Sequence, residues 1–329
     1  MLKQKNKPRR RPFKKERYKV TNWPEYNRSL KNRSNLKIWL SSETLANWYY
    51  TGPKIKGGQS TYSDSCIEFC ISIKILFKLG YRQTQGFIES IFALAQIDLS
   101  VPDYSVLCKR FGKLTIREKP FKKNTDVKGL SISADSTGLK VYGEGEWKVR
   151  VHGWSKHRTW QKLHLIVNPV DKMILSNDLT PNSVDDAAMV EPMLNQIKGK
   201  IKSFSADGAY DKIKVYETLS QRNIYPLIPP RKGARIKKHG NKKGKMNPRD
   251  RNIRMIRKHG RAGWKRKIKY HQRSLAETTM FRYKTIIGNK LTTRTFDRQK
   301  IEASIACKIL NIVTKNGMPK SIKIKCQKN

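Results

Sequence analysis

The apolar residues of the first third of the chain recur at helical spacing, and polar or charged residues fill the positions between them. This pattern predicts an all-helical region over residues 20–115. Ser63 or Asp64 is a suitable N-cap for the third helix, and Asp103 is one for the last. The predicted helices span residues 24–34, 43–50, 63–79, 82–96 and 103–112.

From residue 130 the pattern changes to short runs of small and β-branched residues separated by amphipathic segments. Such an alternation is typical of a mixed α/β domain. The final helix has isoleucines at core spacing and is expected to pack against the rest of the fold. Strands are predicted at 130–142, 161–168, 172–179, 202–206 and 225–229, and helices at 184–197, 211–223 and 297–315.

The charge of the chain points to a polyanionic partner. Lys and Arg number 71 against 25 Asp and Glu, which gives a net charge of +46. Such an excess repels itself in a compact state, so a nucleic acid is the first partner to expect. The sequence has no run of about 18 apolar residues and no signal-peptide core, which argues against a membrane partner. We therefore expect a soluble, cytoplasmic, nucleoid-associated protein.

The cations are concentrated in three stretches. Residues 1–19 hold ten Lys or Arg and one acid, which predicts a disordered arm that lies on phosphates, although a solubilising tail has the same composition. The window 231–270 holds 18 Lys or Arg and one acid, and a basic helix is predicted to start at Asn247. Residues 316–329 form a basic tail that is expected to fray.

Some basic and aromatic residues are candidate DNA contacts. The short turn between the last two predicted helices is compatible with a helix-turn-helix that presents Lys109 and Arg110 to DNA, and an ordinary helical bundle explains the pattern as well. Trp264, inside the basic block, would stack on an unpaired base or fasten the block to the rest of the protein. The aromatic and basic segment HGWSKHRTW (152–160) has two interpretations of its own. It would contact phosphates and bases, or it would simply lead into a strand.

Two aspartates lie at the polar ends of otherwise apolar strands. Asp135 lies in GLSISADSTGLKVYG, and Asp207 lies in IKSFSADGAYDK. A carboxylate in an apolar strand destabilises the fold unless a metal ion or a cation compensates its charge. A glutamate on a later helix would complete an oxygen-rich set suited to Mg²⁺ or Mn²⁺.

That glutamate is Glu277, in the stretch YHQRSLAETTMFRYK. Tyr270, Arg273, Glu277 and Lys284 fall within a stripe roughly 60° wide if the stretch is one α-helix. One carboxylate beside two cations and a phenol suits a group that holds a metal ion next to a phosphate. A solvated helix face with an ion pair is the alternative interpretation.

Together these residues resemble the acidic triad of the DDE transposases of bacterial insertion sequences. The spacing Tyr270-x2-Arg273-x3-Glu277-x6-Lys284 is similar to the signature of one large branch of that family. The segments DSTGLK and ADGAYD are similar to the motifs around its first two acids. Further similar segments are WPEYNRSL (23–30), PDYSVLCKR (102–110), HGWSKHRTWQKLH (152–164) and YHQRSLAET (270–278).

The resemblance implies an RNase H-like catalytic domain, a mixed sheet with flanking helices, preceded by an all-α DNA-binding region. In that fold the first and fourth strands bring two acids side by side, and a later helix adds the third. The 69 residues between Asp207 and Glu277 leave room for only a short insertion. The implied segments are an arm (1–19), a helical DNA-binding domain (20–115), a linker (116–129), a catalytic domain (130–315) with a basic insertion at about 231–265, and a tail (316–329).

The resemblance also implies the activity. Asp135, Asp207 and Glu277 would hold two Mg²⁺ or Mn²⁺ ions that support cleavage of double-stranded DNA at terminal inverted repeats and strand transfer into target DNA. Arg273 and Lys284 would grip phosphates of the transposon end, and Tyr270 would position its backbone. Ion pairing of the cations with the acids in the metal-free site is a compatible role. A homodimer is expected in the synaptic complex.

Other functions stay open at this point. A transposase-derived DNA-binding protein without activity would keep the same acids, and a related RNase H-like nuclease would share the fold. A structural RNA-binding protein would explain the charge. However, polyanion binding alone has no use for three spaced acids.

Overall fold

The computed structural model describes residues 17–53, 57, 60–116, 129–141, 160–237 and 247–324. A short strand and six helices occupy the first part of the chain, as the sequence predicts for 20–115. Their bounds are β1 (Arg17–Val20), α1 (Trp23–Asn32), α2 (Leu36–Trp39), α3 (Ser42–Ala46), α4 (Asp64–Phe77), α5 (Tyr81–Leu94) and α6 (Tyr104–Phe111).

The predicted caps of this helical region are confirmed. Ser63 caps α4 by accepting a hydrogen bond from the Cys66 N–H at 3.1 Å, and Asp103 caps α6 through the Ser105 N–H at 2.8 Å. The helix predicted at 43–50 is shorter than expected. It ends because Tyr49 leaves the helical path to form a β-bridge with Tyr62.

A five-stranded mixed sheet follows. Strands β2, β3 and β4 are antiparallel neighbours, and β5 and β6 continue the sheet parallel to β2, in the order β4-β3-β2-β5-β6. This is the strand arrangement of the predicted RNase H-like fold, which is thereby confirmed. The strands are β2 (Leu130–Lys140), β3 (Trp160–Val167), β4 (Ile174–Pro181), β5 (Ile201–Ser205) and β6 (Tyr225–Leu227).

Helices cover both faces of the sheet. The helix predicted at 184–197 starts as a 3₁₀ turn and becomes regular only at Val190, because Pro192 lacks the N–H that would bond the carbonyl of Ala188. Among the described residues, no helix combines the length and the apolar character needed to cross a bilayer. The remaining elements are α7 (Val190–Asn195), α8 (Ile213–Gln221), α9 (Pro248–Lys267), α10 (Ser274–Ile286), α11 (Phe296–Lys315) and β7 (Ser321–Ile324). The backbone of α9 is interrupted by a kink at Gly260, whose φ is 68°.

The two faces of the sheet have separate apolar cores. On one face, Ile132 and Phe204 pack with α7 and with Leu219 of α8. On the other, Leu163 and Leu165 of β3 pack with α10 and α11. The alternation of apolar side chains along these strands directs half of them to each face. Both cores are needed to hold the strands that carry the candidate acids.

Helix α11 belongs to two cores at once. Ala306 and Leu310 face the sheet, whereas Ile305 and Ile309 complete the core of the N-terminal helices, beside buried thiols such as Cys70. The helical region is therefore not closed within residues 20–115. Most of the linker predicted at 116–129 lies outside the described residues.

The two ends of the described chain pair with each other. β1 and β7 form an antiparallel ribbon, with Arg17 opposite Ile324 and Val20 opposite Ser321. We call this pair the terminal ribbon. The prediction that residues 17–19 belong to a disordered arm is wrong, and so is the prediction that 321–324 fray. The pairing is stabilised at its base, where the Asn22 side chain accepts from the Lys320 N–H at 2.7 Å.

Candidate active site

Strand register brings Asp135 and Asp207 to the same end of the sheet. Ser133 of β2 lies opposite Ser205 of the parallel strand β5. Each aspartate follows its serine by two residues, so both lie at equivalent positions on neighbouring strands, which are roughly 4.8 Å apart. Asp207 comes just after β5, where its side chain caps a 3₁₀ turn by accepting from the Ala209 N–H at 2.8 Å.

Glu277 joins them from the first turn of α10, which packs on β2 and β3. Arg273 connects this glutamate to the sheet. Its Nη1 lies 3.6 Å from Oδ2 of Asp135, and its Nη2 pairs with Oε1 of Glu277. The guanidinium therefore stands between two of the three candidate acids.

The environment of Asp135 disfavours its charged form. Burial is the largest influence and raises the pKa of Asp135 from 3.8 to about 6. The Ser136 N–H and Arg273 act against this shift, while the negative charges of Asp207 and Glu277 reinforce it. The three acids thus lie close enough to influence one another, and Arg273 compensates only part of their charge.

Tyr270 is directed into the protein. It lies in a 3₁₀ turn, Tyr270–Arg273, that precedes α10, and its hydroxyl donates to the Ala206 carbonyl at 3.0 Å. The predicted single α-helical stripe is therefore wrong at its first residue. The role of Tyr270 as a DNA contact is corrected as well, since the hydroxyl is buried and holds the start of α10 against the residue before Asp207.

Trp264 is also an internal residue. It lies on α9, which starts at the predicted Asn247 cap, and its ring is fully buried. Its Nε1 donates to the Asn252 side chain at 3.3 Å, and its ring lies 5.6 Å from that of Tyr270. Base stacking by Trp264 is therefore wrong, and the alternative, that it fastens the basic block to the rest of the protein, is confirmed.

The basic residues predicted to contact DNA, Lys109 and Arg110 of the helical region and Lys284 of α10, differ in their surroundings. Arg110 is engaged inside that region, because its guanidinium donates to Asp64 Oδ1 at 2.7 Å and to the Tyr62 carbonyl at 3.0 Å. Its contact with DNA stays a prediction, which requires that the guanidinium keep these bonds or leave them. Lys109 on α6 and Lys284 on α10 have exposed side chains, and their contacts with DNA stay predictions.

Sequence reasoning missed a buried ion pair next to the site. Asp211 accepts from Arg249 Nε at 2.8 Å, from the Arg231 N–H at 2.9 Å and from the Tyr216 hydroxyl at 3.0 Å. Burial alone would raise the pKa of Asp211, but these hydrogen bonds outweigh it and lower the pKa. The second acid of the ADGAYD motif was the available signal. The pair fixes the start of the basic helix α9 near Asp207.

The donor chemistry of the site fits a hard divalent cation. Three carboxylates supply oxygen ligands only, and the charge of Asp135 is poorly compensated by the protein. Within the described ranges, no three His, Cys, Asp or Glu side chains are close enough to share one ion. The Arg273 guanidinium lies between Asp135 and Glu277 instead, so ion binding requires it to turn away from at least one of them.

The strand order and the helices on both faces define the catalytic part as a domain of the RNase H-like class. Two family models, both described as "Transposase DDE domain", match the chain over residues 31–144 and 129–312. The second match covers more than half of the 329 residues. The chain therefore belongs to the transposases with a DDE domain.

One solved structure provides a further comparison. The cryo-EM structure of the piggyBac transposase synaptic complex with hairpin DNA is similar with a TM-score of 0.40 and 12% sequence identity. The similarity covers 87% of this chain and 74% of that one.

Proposed function

We propose that this transposase binds the terminal inverted repeats of its own element, cleaves the DNA at the element ends and joins them to target DNA. In this proposal Asp135, Asp207 and Glu277 are the catalytic carboxylates. The supporting observation is the register of β2 and β5, which brings the two aspartates to the same end of the sheet, together with Arg273, which links Glu277 of α10 to Asp135. A binding protein without catalysis has no need for such a convergence.

Divalent metal ions, which DDE transposases in general use, would be held by these three residues. Two ions of Mg²⁺ or Mn²⁺, when bound, supply activation of water and neutralisation of charge at the scissile phosphate. Asp135, Asp207 and Glu277 would supply the carboxylate oxygens that hold these ions. The raised pKa of Asp135 favours this assignment, because a nearby cation relieves the cost of its charged form.

Arg273 has two successive roles in the proposal. Without metal it pairs with Asp135 and Glu277 and compensates part of their negative charge, which lets the acids approach one another in the folded protein. With metal bound, its guanidinium turns to a phosphate of the DNA end, a partner that suits its planar donors. Lys284, exposed about two turns beyond Glu277 on α10, contributes a second cation to the same DNA strand.

The test is cleavage of DNA that carries the sequences flanking the coding region, where matched inverted repeats are expected. Asp135→Ala, Asp207→Ala and Glu277→Ala should each abolish Mg²⁺-dependent cleavage. Asp98→Ala, which removes an exposed acid of the helical region, is the matched control and should keep it. Full cleavage by the Asp135→Ala or Glu277→Ala protein would overturn the assignment. Two protein copies per synapsed pair of ends are expected, and light scattering of the complex measures this number.

A further inference from the structure

Three cations lie together where α1, α10 and α11 meet, away from the candidate acids. Arg33 follows α1, Arg282 is on α10, and Lys172 is in the turn between β3 and β4. Burial lowers the pKa of Arg282, and the positive charge of Arg33 lowers it further. Burial and then Arg282 lower the pKa of Lys172 in the same way. We call these three residues the cation cluster.

The cluster has no counter-charge in the part of the chain that the structure describes. No carboxylate there forms an ion pair with any of the three cations. The Arg33 guanidinium makes a cation–π contact with the Tyr26 ring, whose centroid is 5.9 Å away, but this ring is not a counter-charge. Like charges crowded in this way destabilise the protein unless an anion joins them.

Three buried donors at the same place lack acceptors among the described residues. They are Arg33 Nε, Arg282 Nη1 and the side-chain amide of Asn316 at the end of α11. The other terminal nitrogen of Arg282 donates to Thr314 Oγ1 at 2.9 Å, which fixes the guanidinium against α11. Buried donors in folded proteins are nearly always paired, so these donors are open to an acceptor that the described residues do not supply. The positive charge of Arg33, Arg282 and Lys172 favours an anion as that acceptor.

The cluster adjoins the base of the terminal ribbon. Ser29 Oγ of α1 donates to the Gly317 carbonyl at 3.3 Å, and the Asn22 amide donates to the Met318 carbonyl at 3.1 Å. The ribbon beyond exposes Lys19 and Lys323. Positive charge therefore continues from the cluster along the ribbon. Residues 1–16, which precede the ribbon in the sequence, contain eight further Lys or Arg.

This surface differs from the catalytic one. Arg282 follows Glu277 by five residues, which places it about 140° around α10 and roughly 7.5 Å further along the axis. It therefore faces α1 and α11, whereas Glu277 faces the strand aspartates. All three cations remain partly exposed, so an extended anion can approach them from solvent.

We propose that the cation cluster binds a phosphate of the DNA backbone and that the terminal ribbon continues this contact along the duplex. The proposal rests on the proposed function in that the partner is DNA. A duplex suits the site better than a small anion, because the positive charge extends over the ribbon beyond the three cations. The same α10 then contacts DNA on two faces, at the catalytic site and at the cluster.

The test uses the full-length protein and a duplex of its element end, with EDTA present so that binding is measured without cleavage. Lys172→Gln and Arg33→Gln should each lower the slope of log affinity against log salt by about 1, since each removes one phosphate contact. Lys198→Gln, in the loop between α7 and β5, is the matched control and should leave the slope unchanged. Without DNA, the Lys172→Gln protein should melt at the same temperature as the wild type or higher.

Three results would overturn the inference. The first is an unchanged salt slope in both variants, and the second is a lower melting temperature of Lys172→Gln with an unchanged slope, which indicates a structural role. The third is stabilisation of the wild type, but not of the variants, by inorganic phosphate while duplex binding is equal in all. Mg²⁺-dependent cleavage is scored separately. If both variants cleave normally and keep the salt slope of the wild type, only the inference about the cation cluster is overturned. If their salt slopes change but even the wild type does not cleave, only the catalytic proposal is overturned.

Discussion

Neutralising Asp135 should stabilise the metal-free protein while it destroys activity. The Asp135→Asn change keeps the size of the side chain and the oxygen that accepts from the Ser136 N–H at 2.9 Å. It removes a negative charge that is only 18% exposed and that lies near two other acids. The substitution therefore relieves an electrostatic penalty without opening a cavity.

The size of the effect follows from the pKa. A rise in the pKa of Asp135 from 3.8 to about 6 corresponds to ~3 kcal/mol between its charge states, an upper figure because solvent still reaches the carboxylate. Below about pH 4 the carboxyl is protonated in both folded and unfolded chains, and the penalty is absent. Between pH 4 and 6 the unfolded chain loses its proton first, so the stability of the wild type falls. Above pH 6 the penalty is complete.

Urea denaturation in EDTA at several pH values measures the prediction. The free energies of unfolding of the wild type and the Asp135→Asn protein should be nearly equal at pH 4, and the variant should be more stable by up to about 3 kcal/mol at pH 7 to 8. Added Mg²⁺ should stabilise only the wild type. A variant that is equally stable or less stable at every pH would refute the reasoning that the carboxylate is poorly compensated.

Three further substitutions address the supporting structure. Tyr270→Phe leaves the Ala206 carbonyl without its donor and should lower the free energy of unfolding in urea by about 1–2 kcal/mol. It should also slow cleavage more than it weakens DNA binding. A cleavage rate equal to that of the wild type would argue that Tyr270 does not position Asp207. Asp211→Ala leaves Arg249 unpaired and should destabilise by about 3–5 kcal/mol, which a normal denaturation midpoint would contradict. Glu302→Ala removes a buried acceptor of four N–H and O–H groups of two threonines and should lower stability by about 3 kcal/mol, with Glu302→Gln recovering part of it in the same assay.

Local signals in the sequence were sufficient for most elements. The Asn247 cap followed by Pro248 located the start of α9, and the apolar runs located β2 and β5 to within two residues. That the aspartates meet could be predicted only through the family resemblance, which implies a fold whose first and fourth strands bring two acids side by side. These features depend on backbone rules that act over a few residues or on one topology.

The direction of individual side chains could not be predicted in the same way. Trp264 and Tyr270 lie in a strongly basic stretch, which suggested an exposed surface, yet both rings are buried because α9 packs on β6 and the 3₁₀ turn that holds Tyr270 packs on β5. Arg110 pairs with Asp64, 46 residues earlier. The terminal ribbon joins segments 300 residues apart and has no periodic apolar signal of its own. Each of these outcomes depends on a long-range contact that one local pattern does not encode.

The position of α11 has a consequence for how this protein unfolds and how it can be divided. Ile305 and Ile309 complete the core of the N-terminal helices, and Leu310 on the same helix completes one core of the sheet. A fragment that ends near residue 128 would therefore expose the apolar groove that α11 fills and should aggregate rather than fold alone. The two parts are expected to melt in a single transition. Exchange of the N-terminal helices between related proteins would have to bring a matching α11 with them.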